Sequence, residues 1–237
     1  MNLLYILLVL LPGLVLSGGA SMLVQSRFAK YSRVPSLRGI TGRQAAERLL
    51  DYAGIRDVKV VRVDGMLTDH YNPATRQLAL SSAVYDQTSI AAIGVAAHEA
   101  GHAIQHAVGY QPLKLRSALV PMANLGTNLG TYAMLGGLMV MMSGVLIGKW
   151  IFFAGVIAFC MFLLFQLVTL PVEFDATNRA KALVVEAGIV TPQERSGMDK
   201  VLGAAALTYV AAFVAALLNL VYFLIQAGVL ISGNNRD

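Results

Sequence analysis

Four stretches of the chain carry no Asp, Glu, Lys or Arg: 1–26, 117–148, 150–172 and 201–235. Each exceeds the roughly 20 apolar residues that a helix needs to cross a bilayer. The pattern predicts four transmembrane helices, near 3–24, 123–147, 150–170 and 202–231. The second is the least sharply marked, because Asn124, Thr127 and Asn128 lie at its start. The first block ends in small residues, Ser17-Gly18-Gly19-Ala20, as a secretory signal would. It lacks the positively charged leading region of such a signal, so an uncleaved first helix is expected. Gly148-Lys149-Trp150 joins the second and third blocks and predicts an antiparallel hairpin. Gly126 and Gly130, and Gly144 and Gly148, fit the small-residue spacing of close helix contact.

The polar segments between these blocks show other periods. From Thr41 to Ala53 the pattern is helical, with Thr41 as cap, Ala45, Ala46, Leu49 and Leu50 inward, and Gly54 as the stop. Val58 to Val63 and Gln77 to Ser81 read as strands. Asp64-Gly65 and Asp69-His70-Tyr71-Asn72-Pro73 read as a turn-rich connection between them. A further helix begins at Thr88 or Ser89, where either side chain can cap it. Its inward positions are Ile90, Ile93, Ala97 and Ile104, and Gly109-Tyr110-Gln111-Pro112 ends it. The expected fold class is α+β, mostly α: four transmembrane helices and a domain outside the bilayer with a small sheet. The segments are 1–26, 27–116, 117–172, 173–200 and 201–237. No internal repeat or low-complexity segment stands out.

Composition agrees with a membrane protein. The chain is 57% hydrophobic and 13% charged, against about 25% charged in ordinary soluble domains. The single cysteine, Cys160, lies in an apolar block and reads as packing. The net charge of +5 does not indicate nucleic acid, because its distribution follows the helices. Sixteen of the 18 Lys and Arg lie in 27–116 and 173–200, leaving Lys149 and Arg236 for the other side. The positive-inside rule places those two segments in the cytoplasm and both termini outside.

Candidate chemistry centres on His98-Glu99-Ala100-Gly101-His102, an H-E-x-x-H motif within the last predicted soluble helix. A chance match in a chain this long is roughly one in a hundred or rarer. Residues i and i+4 share one helix face, so the two imidazoles can grip one metal ion, with zinc the usual choice. Glu99 then stands where a base is needed to take a proton from water. His106 is rotated off that face by the helix twist and reads as a surface histidine.

A catalytic zinc usually takes three protein ligands. Glu173 and Asp175, the first charges after the third apolar block, are the candidates. One can be the ligand and the other the orienter of a histidine ring, or both can simply mark the membrane boundary. His70 and Tyr71 lie on a turn, where a hydrogen-bonded role competes with a catalytic one. For oxyanion stabilisation His70, Tyr71, Asn178, Arg179 and Tyr209 are all candidates that the sequence does not rank.

The motif with its flanks Val95-Ala96-Ala97 and Ala103-Ile104-Gln105 resembles the membrane zinc metallopeptidases of the YugP type. So do Leu67-Thr68-Asp69-His70-Tyr71-Asn72-Pro73 and Leu170-Pro171-Val172-Glu173-Phe174-Asp175-Ala176. The resemblance covers nearly the whole chain. More distantly the arrangement is similar to the HtpX-type and C-a-a-X prenyl protease gluzincins. Those take a glutamate ligand from the start of a later helix, which implies Glu173 as the third ligand to one zinc ion. They also carry an aspartate four residues further on, where this chain has Thr177. Asp175 or Asn178 would then have to supply the missing hydrogen bond.

The reading that follows is a membrane-embedded zinc peptidase. Zinc is held by His98, His102 and Glu173, Glu99 is the base, and the partners are the lipid bilayer and a peptide or membrane-protein substrate. A sheet edge beside the metal helix would hold an extended peptide. The rivals are a membrane scaffold or assembly factor with a structural metal site, and a zinc hydrolase of non-peptide amides. The intact Glu99 counts against the scaffold, and the sheet edge favours peptides over other amides.

Overall fold

The computed structural model describes residues 3–233. Two units emerge. The first comprises Met1–Gly19, Leu115–Thr169 and Tyr209–Asp237; the second comprises Ala20–Lys114 and Leu170–Thr208.

The first unit is apolar and helical. It begins with α1 (Leu3–Tyr5), a π-helical turn (Ile6–Leu10) and the start of α2 (Leu11–Tyr31). It continues through most of α5 (Gln111–Leu125), a second π turn (Gly126–Gly130) and α6 (Thr131–Met142). The first half of α7 (Ile147–Glu186) and the last part of α8 (Pro192–Gly233) complete it. Met134, Phe152, Phe159, Leu220 and Phe223 form its core. Leu14, Leu129, Trp150 and Ile157 stay exposed, an apolar surface too extensive for a protein facing water.

Three helical stretches among the described residues, not four, are long and apolar enough to cross a membrane: Ile6–Tyr31, Ile147–Glu186 and Pro192–Gly228. This corrects the expectation for 117–148. That block is helical, but the π turn at Gly126–Gly130 divides it, and Pro121 lies within α5. Proline lacks the N–H that would close the preceding turn. The 12 residues of α6 extend only about 18 Å at the helical rise. The hairpin turn also falls earlier than expected. It occupies Ser143–Leu146, with Gly144 at φ +78°, and α7 already begins at Ile147. Gly126, Gly130 and Gly148 act as packing sites, whereas a Cβ on Gly144 would meet nothing within 4 Å. A Cβ on Gly126 would meet Ala158 O at 2.3 Å, and one on Gly130 would meet Phe159 N at 2.8 Å.

The second unit is built around α4 (Ile90–Ala107). Ala91, Ala92, Ile93, Ala96, Ala97 and Ala100 along it are fully buried. A helix of such small residues lets its neighbours approach on nearly every side. α3 (Gly42–Tyr52) packs on it through Ala45, Ala46, Leu49 and Leu50. Ala180 and Val184 of α7 and Met198, Val201 and Leu202 of α8 belong to the same core. Both helix starts are capped as expected. Thr41 and Gln44 exchange bonds of 3.2 and 2.9 Å in a capping box. Ser89 Oγ accepts from Ala92 N at 3.2 Å. Gly54 and Gly109, at φ +72° and +69°, end α3 and α4.

The sheet has the order β1-β3-β2. β1 (Lys59–Val63) runs parallel to β3 (Gln77–Ser81), pairing Lys59 with Gln77 and Val63 with Ser81. β2 (His70–Asn72) is antiparallel to β3, with Tyr71 opposite Leu78. Asn72 Oδ1 accepts from Ala74 N at 2.9 Å and shapes the turn into β3. Asp69 anchors the other end of β2: its carboxylate accepts from Ser81 N at 2.7 Å and Ser81 Oγ at 2.9 Å.

Candidate metal centre

His98 and His102 stand one turn apart on α4, with ring centroids 4.8 Å apart and nearly perpendicular. Glu173 reaches them from α7. Its Oε2 lies 3.1 Å from His98 Nε2 and 3.5 Å from His102 Nε2. One ligand atom from each of the three residues falls within 4.8 Å of the others. The Glu173 side chain is only 2% exposed. Gly101 makes the approach possible. A Cβ there would lie 2.6 Å from Ala176 O, so the α4 and α7 backbones touch where any larger residue would part them.

The outward ring nitrogens are also engaged. His98 Nδ1 lies 3.1 Å from Thr177 Oγ1. His102 Nδ1 lies 3.0 Å from Gln105 Oε1. Gln105 Nε2 in turn donates to Val172 O and to Asp175 Oδ2, both at 2.8 Å. Arg179 Nε donates to the same Asp175 oxygen at 2.6 Å, and its guanidinium lies over Tyr110, 5.8 Å from the ring centre. Both rings therefore aim Nε2 at one point while their other nitrogen is tied down, the pattern of histidines that bind metal. Two imidazoles and one carboxylate match a catalytic zinc with a position left open.

Electrostatics reinforce the cluster. Burial of His102 opposes its charged form, yet the Glu173 and Glu99 carboxylates outweigh it and raise its pKa above the ordinary value. Glu99 is itself buried in α4 beside His98.

The family described as "Putative neutral zinc metallopeptidase" matches residues 5–228. The chain belongs to this family. It is 45% identical over 227 residues to "Putative membrane protease YugP" of Bacillus subtilis (strain 168), covering 96% of each chain. No solved structure matches.

In this family member the remaining candidates lie as follows. Thr177 itself contacts His98, so the position that departs from the distant relatives still faces the ring. Asp175 reaches His102 only through Gln105. Asn178 is exposed on α7, and Arg179 is engaged with Asp175. His70 is exposed on β2, with Nδ1 2.9 Å from Thr68 O. Tyr71 OH lies 2.8 Å from His106 Nδ1, and burial raises the pKa of its phenol. That pair lines a separate cavity of about 280 Å³ with Asp57 and Arg76. Tyr209 belongs to the first unit. Gln105 was not singled out by the sequence, although its place three residues after His102 puts it within reach along a helix.

Proposed function

We propose that the chain is a zinc peptidase of the bacterial cytoplasmic membrane that hydrolyses peptide bonds on the cytoplasmic side. The observation that carries this reading is the convergence of His98, His102 and Glu173 beside a buried Glu99. When bound there, zinc supplies the Lewis acidity that makes water nucleophilic near neutral pH and polarises the scissile carbonyl.

The chain's own residues do the rest. His98 and His102 offer neutral nitrogen donors, and Glu173 brings the negative charge that offsets a divalent ion. Glu99 takes a proton from the attacking water as the new C–O bond forms. It then returns that proton to the amine nitrogen as the C–N bond breaks. Glu99 is largely shielded from bulk water, which favours proton exchange with the substrate. The small sheet beside α4 supports reading the unit as zincin-like, and an extended peptide pairing with a sheet edge is the expected substrate form.

The membrane assignment rests on the distribution of charge. The first unit has no Asp or Glu among its described residues, whereas the second holds most of the Lys and Arg. The positive-inside rule supports a cytoplasmic second unit. That placement requires the helical run 111–142, divided by its π turn, to return the chain across the bilayer ahead of α7.

Glu99→Gln in the full-length protein is the test. Zinc content should stay near one ion per chain, while cleavage of a peptide or membrane-protein substrate falls by about 10²–10⁴-fold. Undiminished cleavage in that variant would remove Glu99 from the mechanism. Zinc-dependent hydrolysis of lipid-linked amides, with no peptide product, would redirect the assignment to another amide hydrolase.

A further inference from the structure

We infer that Gln105 is a positioning residue that presets His102 for metal binding, holding the ring as its Nδ1–H tautomer with the Nε2 lone pair turned toward Glu173. This rests on the reading that His98, His102 and Glu173 hold zinc.

The argument is one of donors and acceptors. Gln105 is fully buried. One end of its amide lies 2.8 Å from Val172 O and 2.8 Å from Asp175 Oδ2. A carbonyl and a carboxylate accept only, so that end is the NH₂ group and both its protons are in use. Amide orientation is ordinarily ambiguous; here the two acceptors fix it. The other end is then the carbonyl oxygen, which cannot donate. It lies 3.0 Å from His102 Nδ1, so Nδ1 carries the proton. A neutral imidazole has one N–H, and Nε2 is left as the lone pair a metal requires.

His98 is different. Its Nδ1 faces the Thr177 hydroxyl, which can donate or accept, so that partner does not dictate the tautomer. The protein thus prepares one ring and leaves the other to the metal. The job at 105 needs one acceptor and two donors on one side chain. Glutamate has the shape without the donors, and leucine has neither.

The experiment uses full-length protein in detergent or nanodiscs, with ¹⁵N-labelled histidine. Readouts are zinc affinity by chelator competition and the ring nitrogen shifts of His102 in metal-free protein at alkaline pH. The native protein should show the Nδ1–H pattern; an Nε2–H pattern would overturn the inference without any variant. Gln105→Leu should weaken zinc binding by about 10- to 100-fold and mix the two tautomers. Gln105→Glu keeps an acceptor for Nδ1–H but loses both donors and sets a carboxylate against Asp175, so it too should weaken zinc binding. Adding Asp175→Asn to it should recover part of the affinity, because the new amide can donate to the introduced carboxylate. Unchanged zinc affinity and unchanged shifts in both Gln105→Leu and Gln105→Glu would also refute the assignment. Glu173→Gln separates the two readings. If zinc binding survives it unaltered, the metal centre itself is wrong; if only the Gln105 variants are silent, the positioning role alone fails.

Discussion

At His102 burial and charge pull in opposite directions, and charge prevails. In the metal-free protein the ring therefore holds a proton more firmly than the unfolded chain does, whose histidines titrate near about 6.5. The stability this gives is fully present below that ordinary value and is lost as pH rises through the raised one. Zinc needs the same nitrogen unprotonated, so its affinity should fall as pH drops below the raised value. Zinc dissociation constants across that range check this, and an affinity that does not change with pH would count against it. The residues that define this site differed in how visible they were beforehand. His98, Glu99 and His102 stand out because helical spacing is local. Glu173 needed the resemblance, since nothing near it in sequence distinguishes it from Asp175. Thr177 departs from the aspartate that the distant resemblance implies, yet its hydroxyl contacts the His98 ring. Gln105 does not stand out in the sequence, because an amide rarely signals metal.

Between elements, the contact at Gly101 governs the geometry. Gly101→Ala would set a methyl group 2.6 Å from a backbone oxygen that cannot swing aside. It should cost about 1–3 kcal/mol and weaken zinc binding by moving α7 with its Glu173. Gly94→Ala is the control, since its nearest neighbour is the flexible Met198 side chain at 2.7 Å. It should leave zinc binding nearly unchanged, and equal losses in both variants would mean that the α4–α7 contact is not special. Among the elements, α3 and α4 were legible because caps, apolar period and terminal glycines agree. β2 was not, because three residues between Asp69 and Pro73 are too few to show alternation. The division of 117–148 was hidden for another reason. Hydropathy counts apolar residues and does not register a π turn.

For the molecule as a whole, two units share long helices: α7 carries both an apolar stretch and Glu173 without a break. The helices run well past the apolar blocks read from the sequence, α8 starting as early as Pro192. The order of the chain has a consequence for biosynthesis. His98 and His102 leave the ribosome first, and at about 5–20 residues per second several seconds pass before Glu173 is made. During that interval a nascent chain has the two imidazoles without the Glu173 carboxylate, so it should capture zinc only weakly. A chain released after residue 170 should accordingly fail to retain zinc through a desalting column, whereas full retention would show that the histidines suffice. The late arrival of Glu173 thus acts as a delay, leaving the metal centre incomplete until the last apolar stretches of the chain are under way.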